Sequence, residues 1–222
     1  THVVAIEDPV EYRLDGVCQS EVNVEAGYDY AAALRAILRQ DPDVIVVGEI
    51  RDKLTAQTAI QEGLTGHLVL TTIHSGTAAG VFTRLLDMGL EPYLVASSAV
   101  GALAQRLVRK TCPACRTSYS PPRSLVEEFG LGDAEVDFVH GAGCDECHGL
   151  GYAGRTAIGE LLDIDERVAE SILSRARTRH IHDAARDAGM TSLIDDGLAL
   201  VRRGITTLEE LRLIVSPAEG VV

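Results

Sequence analysis

Asp41-Pro42-Asp43-Val44-Ile45-Val46-Val47-Gly48-Glu49-Ile50-Arg51-Asp52 is the stretch on which the fold turns. Its β-branched run, halted by a glycine and followed by an acid, reads as a buried strand that delivers one carboxylate to its carboxyl end. A sheet built this way can present an acid to a metal-bound phosphate. The 222 residues contain no Gly-x-x-x-x-Gly-Lys-Ser/Thr loop, the backbone cradle that would hold such a phosphate.

Strand-like and helix-like periods alternate on both sides of this stretch, which predicts an α/β sheet with crossover helices. Upstream, His2 to Ile6 reads as a strand ended by Glu7-Asp8-Pro9. Tyr30, Leu34, Ile37 and Leu38 share one helical face, and Arg35 and Arg39 share another; together with Arg51 they read as structural ion-pair partners on the surface, the alternative being arginines that reach toward phosphate. Downstream, Asp52 can cap a helix from Lys53 to Glu62 that stops at Gly63 in a left-handed turn. A strand from Leu68 to Thr72 follows, flanked by His67 and His74. A helix over Ala78 to Met88 stops at Gly89, and Pro92 starts the next. In a parallel sheet the strand ends lie along one edge. That edge would carry Glu7, Asp8 and Glu11 from the first strand, Glu49 from the second and His74 from the third. A phosphoanhydride-cleaving site needs a divalent ion, an acid for the attacking water and a donor that senses the γ-phosphate, and these residue types fit those needs.

After a strand-like run at Arg106 to Lys110 come Cys112-Pro113-Ala114-Cys115 and Cys144-Asp145-Glu146-Cys147, two Cys-x-x-Cys pairs separated by 28 residues. Each pair can form a knuckle with two thiolates aimed at one tetrahedral ion, and four sulfurs close the shell of a structural zinc. Disulfides are the competing reading, disfavoured in a reducing compartment. The intervening 116–143 reads as a loop-rich insertion pinned by the metal, and lone Cys18 as a small buried apolar residue. Thr156 to Leu162 reads as a strand rejoining the sheet. Helices are expected near 166–174, 179–188, 193–203 and 208–214, the last opened by a capping box, Thr207-Leu208-Glu209-Glu210. Pro217 to Val222 reads as a frayed tail.

Composition is that of a globular chain, 46% hydrophobic and 24% charged, with no apolar run near the roughly 18 residues of a membrane span. A formal charge of −13 argues against a nucleic-acid partner. No secretory leader is evident, so a cytoplasmic location is expected.

Together these motifs resemble one family. Ala5-Ile6-Glu7-Asp8-Pro9-Val10-Glu11-Tyr12 is similar to the aspartate box of the secretion ATPase superfamily. Leu34 through Asp52 is similar to its atypical Walker B region, and Gly66-His67-Leu68-Val69-Leu70-Thr71-Thr72-Ile73-His74 to its histidine box. The tetracysteine pattern, Gly151 to Ile158, and the run from Asp195 to Glu210 extend the likeness to about Val215. The resemblance is to the carboxyl-terminal portion of hexameric ATPases of type II secretion and type IV pilus assembly. It implies part of a RecA-like P-loop ATPase sheet over 1–108, a zinc-binding tetracysteine insertion over 109–153, a returning strand with a carboxyl-terminal helical subdomain over 154–216, and a tail at 217–222.

By that resemblance Glu7 is the candidate general base, Glu49 helps place magnesium and water, and His74, or His67, couples the γ-phosphate to movement between subunits. Asp8 and Glu11 support the first acid, and either Glu7 or Glu49 can meet the water. The implied cofactors are ATP with Mg²⁺ and a structural Zn²⁺. The implied partners are a homo-hexamer and an inner-membrane platform protein, with the motor peripheral to that membrane. Without a phosphate loop these residues alone are expected neither to bind ATP tightly nor to turn it over. Retraction motors of the family generally lack the tetracysteine insertion, and the last fifty residues lean the choice toward type II secretion. Two other readings compete: a zinc-stapled interaction module without chemistry, and a metallohydrolase using His67, His74 and the acids. The seven-residue spacing of the histidines, which puts them on opposite faces of a regular strand, argues against the latter.

Overall fold

A four-stranded parallel sheet in the order β2-β1-β3-β4 organises the amino-terminal part of the computed structural model, which describes residues 1–132 and 136–215. The strands are β1 (Val3–Glu7), β2 (Val17–Glu21), β3 (Val44–Val47) and β4 (Leu68–Thr71). Registers pair Val3 with Val44 and Val44 with Leu68, so the strands run level and their carboxyl ends share one edge. Val4, Ile6, Ile45 and Val47 point to one face, where they bury against Tyr30, Ala33, Leu34 and Ile37 of α1 (Tyr30–Ile37). Each fully buried aliphatic side chain there contributes about 1.5–3 kcal/mol. The helical face expected from the spacing is thus the core-facing one. A short 3₁₀ turn, Leu38–Gln40, ends the segment before Pro42.

Local capping chemistry sets the helix starts. Asp29 accepts from the Ala32 amide at 2.7 Å, and Asp52 accepts from the Thr55 amide at 2.9 Å to open α2 (Lys53–Leu64). Gly63 is not the stop expected of it. It lies inside α2, where a Cβ would meet Ser98 Oγ at 2.5 Å, and the left-handed turn falls at Gly66 with φ of 104°. Gly63 therefore serves the close approach of α2 to α4 (Pro92–Ser98), sealed by Ser98 Oγ donating to the Ile60 carbonyl at 3.0 Å. Between them, α3 (Ala78–Asp87) is capped by Thr77 and ends at Met88-Gly89 as its sequence predicts. Cys18 lies exposed on the edge strand β2, contrary to the buried apolar role expected of it.

Farther on, β5 (Gly101–Thr111) pairs with β8 (Tyr152–Asp163) in a separate two-stranded sheet. The returning strand therefore does not rejoin the parallel sheet. At eleven and twelve residues the two strands match each other in length, and β4, with four, offers no comparable ladder. The insertion between them is less loop-like than expected: β6 (Arg116–Ser118) pairs antiparallel with β7 (Val139–Gly141), and α5 (Arg123–Glu128) lies between. Four helices follow, α6 (Glu166–Leu173), α7 (Thr178–Asp187), α8 (Leu193–Arg202) and α9 (Leu208–Ile214), close to the expected positions. Contacts group the chain into one unit of Thr1–Gly101 with Asp163–Ala184 and another of Ala102–Leu162 with Ala185 onward. The expected tail, Pro217 to Val222, lies outside the described residues. Among the described residues no helix is long and apolar enough to cross a membrane.

Candidate functional site

Level parallel strands bring Glu7, Glu49 and His74 to the same edge of the sheet. Glu7 is the last residue of β1, Glu49 lies two residues past β3, and His74 three past β4. The ladder continues beyond the strand ends: the Gly48 amide donates to the Ile6 carbonyl at 2.7 Å, Thr72 Oγ1 donates to the Gly48 carbonyl at 2.6 Å, and the Ile50 amide donates to the Thr72 carbonyl at 3.0 Å. These bonds hold the β3 and β4 extensions side by side. The Arg51 guanidinium, ion-paired with Glu49, holds that carboxyl below the usual carboxylate range, and the charge of nearby His74 acts in the same direction.

Asp8 shares this edge and Glu11 follows on the exposed loop after β1. Sequence reasoning missed the residue that secures both. Gln19 donates through Nε2 to Glu7 Oε1 at 2.7 Å and to the Tyr12 carbonyl at 2.9 Å, while its Oε1 accepts from the Leu14 amide at 2.8 Å. One amide side chain on β2 thus fixes Glu7 and the loop carrying Asp8 and Glu11. No local pattern announces it, because the contact depends on β2 pairing with β1.

His67 lies apart from this edge. It sits at the amino end of β4, separated from His74 by a four-residue strand at about 3.3 Å per residue. There its Nδ1 lies 3.1 Å from Thr65 Oγ1 and 3.3 Å from Glu62 Oε2, interactions that stitch the end of α2 to the strand. The two histidines thus stand at opposite ends of β4, and among the described residues the one group placed to hold a metal ion is the four cysteines. Arg35 and Arg39 lie on the surface as expected, but among the described residues neither forms an ion pair, whereas Arg51 pairs with Glu49.

Gly48 explains why a glycine precedes the acid. A Cβ there would stand 3.0 Å from Tyr30 Oη, 3.1 Å from the Ile6 carbonyl and 3.4 Å from Glu7 Cα. Two of these neighbours are backbone and cannot turn aside. Gly48→Ala is expected to cost about 1–2 kcal/mol of stability, read as a lowered midpoint in denaturant unfolding.

The four cysteines meet. All their Sγ atoms lie within 4.8 Å of one another, with Cys112 to Cys144 at 3.9 Å, Cys115 to Cys147 at 3.8 Å and Cys144 to Cys147 at 3.7 Å. A tetrahedron of Zn–S bonds of about 2.3 Å has S···S edges of about 3.8 Å, so this donor set fits zinc. The knuckle amides are in place: Gly143 donates to Cys115 Sγ at 3.3 Å, and Cys144 and Gly151 donate to Cys147 Sγ at 3.3 and 3.2 Å. Burial pushes the Cys147 thiol up, but its amide donors outweigh that and bring it to about 6. Burial and its thiol neighbours raise Cys115 to about 12.

The sequence pattern of the family described as Type II/IV secretion system protein matches residues 1–213. The chain belongs to this family. Over 209 residues this secretion-family chain is 46% identical to the type IV pilus assembly ATPase PilB of Thermus thermophilus, covering 93% of the chain and 24% of that protein. Over 211 residues it is 48% identical to the type II secretion system ATPase E of Vibrio cholerae, covering 95% and 42%. The crystal structure of the pilus retraction motor PilT with bound ADP is similar at a TM-score of 0.71 and 28% identity, over 98% of this chain and 54% of that one. The family member described here therefore spans about half or less of the proteins it matches.

Proposed function

We propose that this chain carries the acid-and-histidine half of the nucleotide site of an ATP-driven motor for type II secretion or type IV pilus assembly. The observation that carries the reading is the meeting of Glu7, Glu49 and His74 on one edge of a parallel sheet in a chain of this family. The sheet is read as part of a RecA-like P-loop ATPase core. The phosphate loop would come from outside residues 1–222, and these residues alone neither bind ATP tightly nor hydrolyse it.

Carboxylates at the ends of β1 and β3 are hard oxygen donors suited to Mg²⁺. The ion, when bound, supplies the charge that offsets the triphosphate. Glu7, held by Gln19, takes the proton of the attacking water, and Glu49 orients that water and the ion's shell once Arg51 gives way. His74 donates to the terminal phosphoryl group and couples its loss to motion between subunits of a homo-hexamer. That motion works on an inner-membrane platform protein, with the motor on the cytoplasmic side. Relatives from both systems match at 46% and 48% identity, so the proposal names the motor they share.

The test is ATP turnover by the native full-length chain that contains these residues. Glu7→Gln is expected to lower kcat about a hundredfold with little change in ATP affinity. Undiminished turnover in both Glu7→Gln and Glu49→Gln would remove the acid edge from the mechanism.

A further inference from the structure

Tyr30 opens α1 with its ring in the core, 9% exposed, packed among Val4, Ile6, Leu34 and Val47. An interior position of this kind needs only an apolar ring. Yet the hydroxyl emerges beside Gly48, 3.0 Å from where a Cβ would stand, at the end of β1 where Glu7 is followed by Asp8. Among the described residues it makes no hydrogen bond. Its surroundings are charged: Asp8, Glu49 and Glu7 push its acidity down in that order after burial, and Arg51 opposes them.

The donors on this edge are unevenly distributed. Glu7 receives Gln19 Nε2, and Glu49 receives Arg51. Asp8 receives none among the described residues. A neutral phenol whose hydroxyl stands at Gly48, next to the end of β1 from which an undonated carboxylate follows, can form a charge-assisted bond to it when the site tightens around its ligand. We propose that Tyr30 is a positioning residue of the acid edge, its hydroxyl serving in the loaded site as the donor that Asp8 lacks. Each of the three acids would then have its own partner, from β2, from the segment after β3 and from α1. The consequence is a fixed geometry for the Glu7-Asp8 pair during turnover. This inference rests on the acid-edge reading proposed above.

The experiment is steady-state ATP hydrolysis by the native full-length chain as a double-mutant cycle of Tyr30→Phe and Asp8→Asn. Phenylalanine keeps the buried ring, so the thermal midpoint is expected to stay at the wild-type value. The expected result is a kcat about tenfold lower in Tyr30→Phe with KM for ATP within about twofold, and a double variant no slower than Asp8→Asn alone. A Tyr30→Phe enzyme at the wild-type rate, or losses that multiply in the double variant, overturns the inference. A purely structural role would lower the thermal midpoint and leave the losses multiplicative. Glu7→Gln, measured in parallel, separates the two levels: if it is inactive while Tyr30→Phe is unaffected, only the role of Tyr30 fails, and if it is fully active the acid-edge reading fails first.

Discussion

Withdrawing the metal from the four-cysteine cluster is expected to unfold the segment from Cys112 to Cys147 and to release α9 with it. Apparent binding energies of structural zinc sites are about 10 kcal/mol or more, comparable with the whole stability of an ordinary domain. Apart from the metal the insertion is held by three-residue pairing of β6 with β7, by the buried Leu125, Phe129 and Leu131, and by the Glu128–Arg212 ion pair to α9 at 3.2 Å. Three side chains in and beside it bind the first turn of α9 and its cap. Arg109, three residues before Cys112, binds Glu210. Tyr119, four residues after Cys115, donates to Glu209, and Tyr152, five after Cys147, shares a 2.8 Å hydrogen bond with Thr207. The Thr111 amide adds a 2.8 Å bond to the Ile205 carbonyl. Loss of the metal would remove the frame that aligns these grips. Elemental analysis should find one zinc per chain, and chelation or Cys112→Ser should abolish it. Hydrogen exchange over 205–214 should then rise to match that of 116–143. Protection of α9 that survives complete metal loss would show that the helix docks independently.

Arg109→Ala is expected to cost about 3–5 kcal/mol, more than the loss of its partner. Glu210 has a side chain only 4% exposed against 45% for Arg109, so truncating the arginine leaves a buried carboxylate without its counter-charge and with only the residue 109 backbone amide of the donors Arg109 supplies, whereas truncating the glutamate leaves a guanidinium that can turn to water. Arg109 gives Glu210 three bonds, from its backbone amide at 2.9 Å, from Nε at 2.8 Å and from a terminal nitrogen at 2.5 Å. Its guanidinium also lies 4.2 Å from the centre of the Tyr152 ring. Burial pushes the Glu210 carboxyl up, and Arg109 outweighs that, leaving it below the usual carboxylate value. A carboxyl lowered by folding stabilises the fold above its unfolded pKa, and that contribution is lost as pH falls through the folded value. Wild-type stability should therefore drop below about pH 4. In Arg109→Ala the sign reverses: the stranded acid is worst near neutral pH and recovers on acidification. Denaturant midpoints at pH 7 and pH 4.5 check both. Equal penalties for Arg109→Ala and Glu210→Ala would argue against a buried carboxylate.

This ion pair also marks where sequence reading stopped. Thr207-Leu208-Glu209-Glu210 reads as a capping box, and Thr207 does cap α9 by accepting from the Glu210 amide at 3.1 Å. The glutamate does not fold back on the cap, because Arg109, 101 residues away, claims it; the reciprocal box forms instead at Ser192 and Asp195. Likewise Gly89 ends its helix as read, since a left-handed turn is a local demand, but Gly63 was kept small by Ser98 on another helix. His74 reached the acid edge while His67 did not, because placement along a parallel strand depends on chain direction as much as on residue type.

Residues near one another in the chain were enough to determine β1, β3 and β4, the cap at Asp52 and the two Cys-x-x-Cys pairs, whereas β2 and the cap at Asp29 were not among the expectations. Apolar period, φ preference and side-chain-to-amide reach all act within a few positions. Only the tertiary structure decided that β8 takes β5 as its partner, that Gln19 holds Glu7, that the Tyr30 hydroxyl comes up against Gly48 and that Arg109 takes Glu210. Those choices are made between surfaces far apart in the chain, by whichever neighbour packing brings within hydrogen-bonding distance.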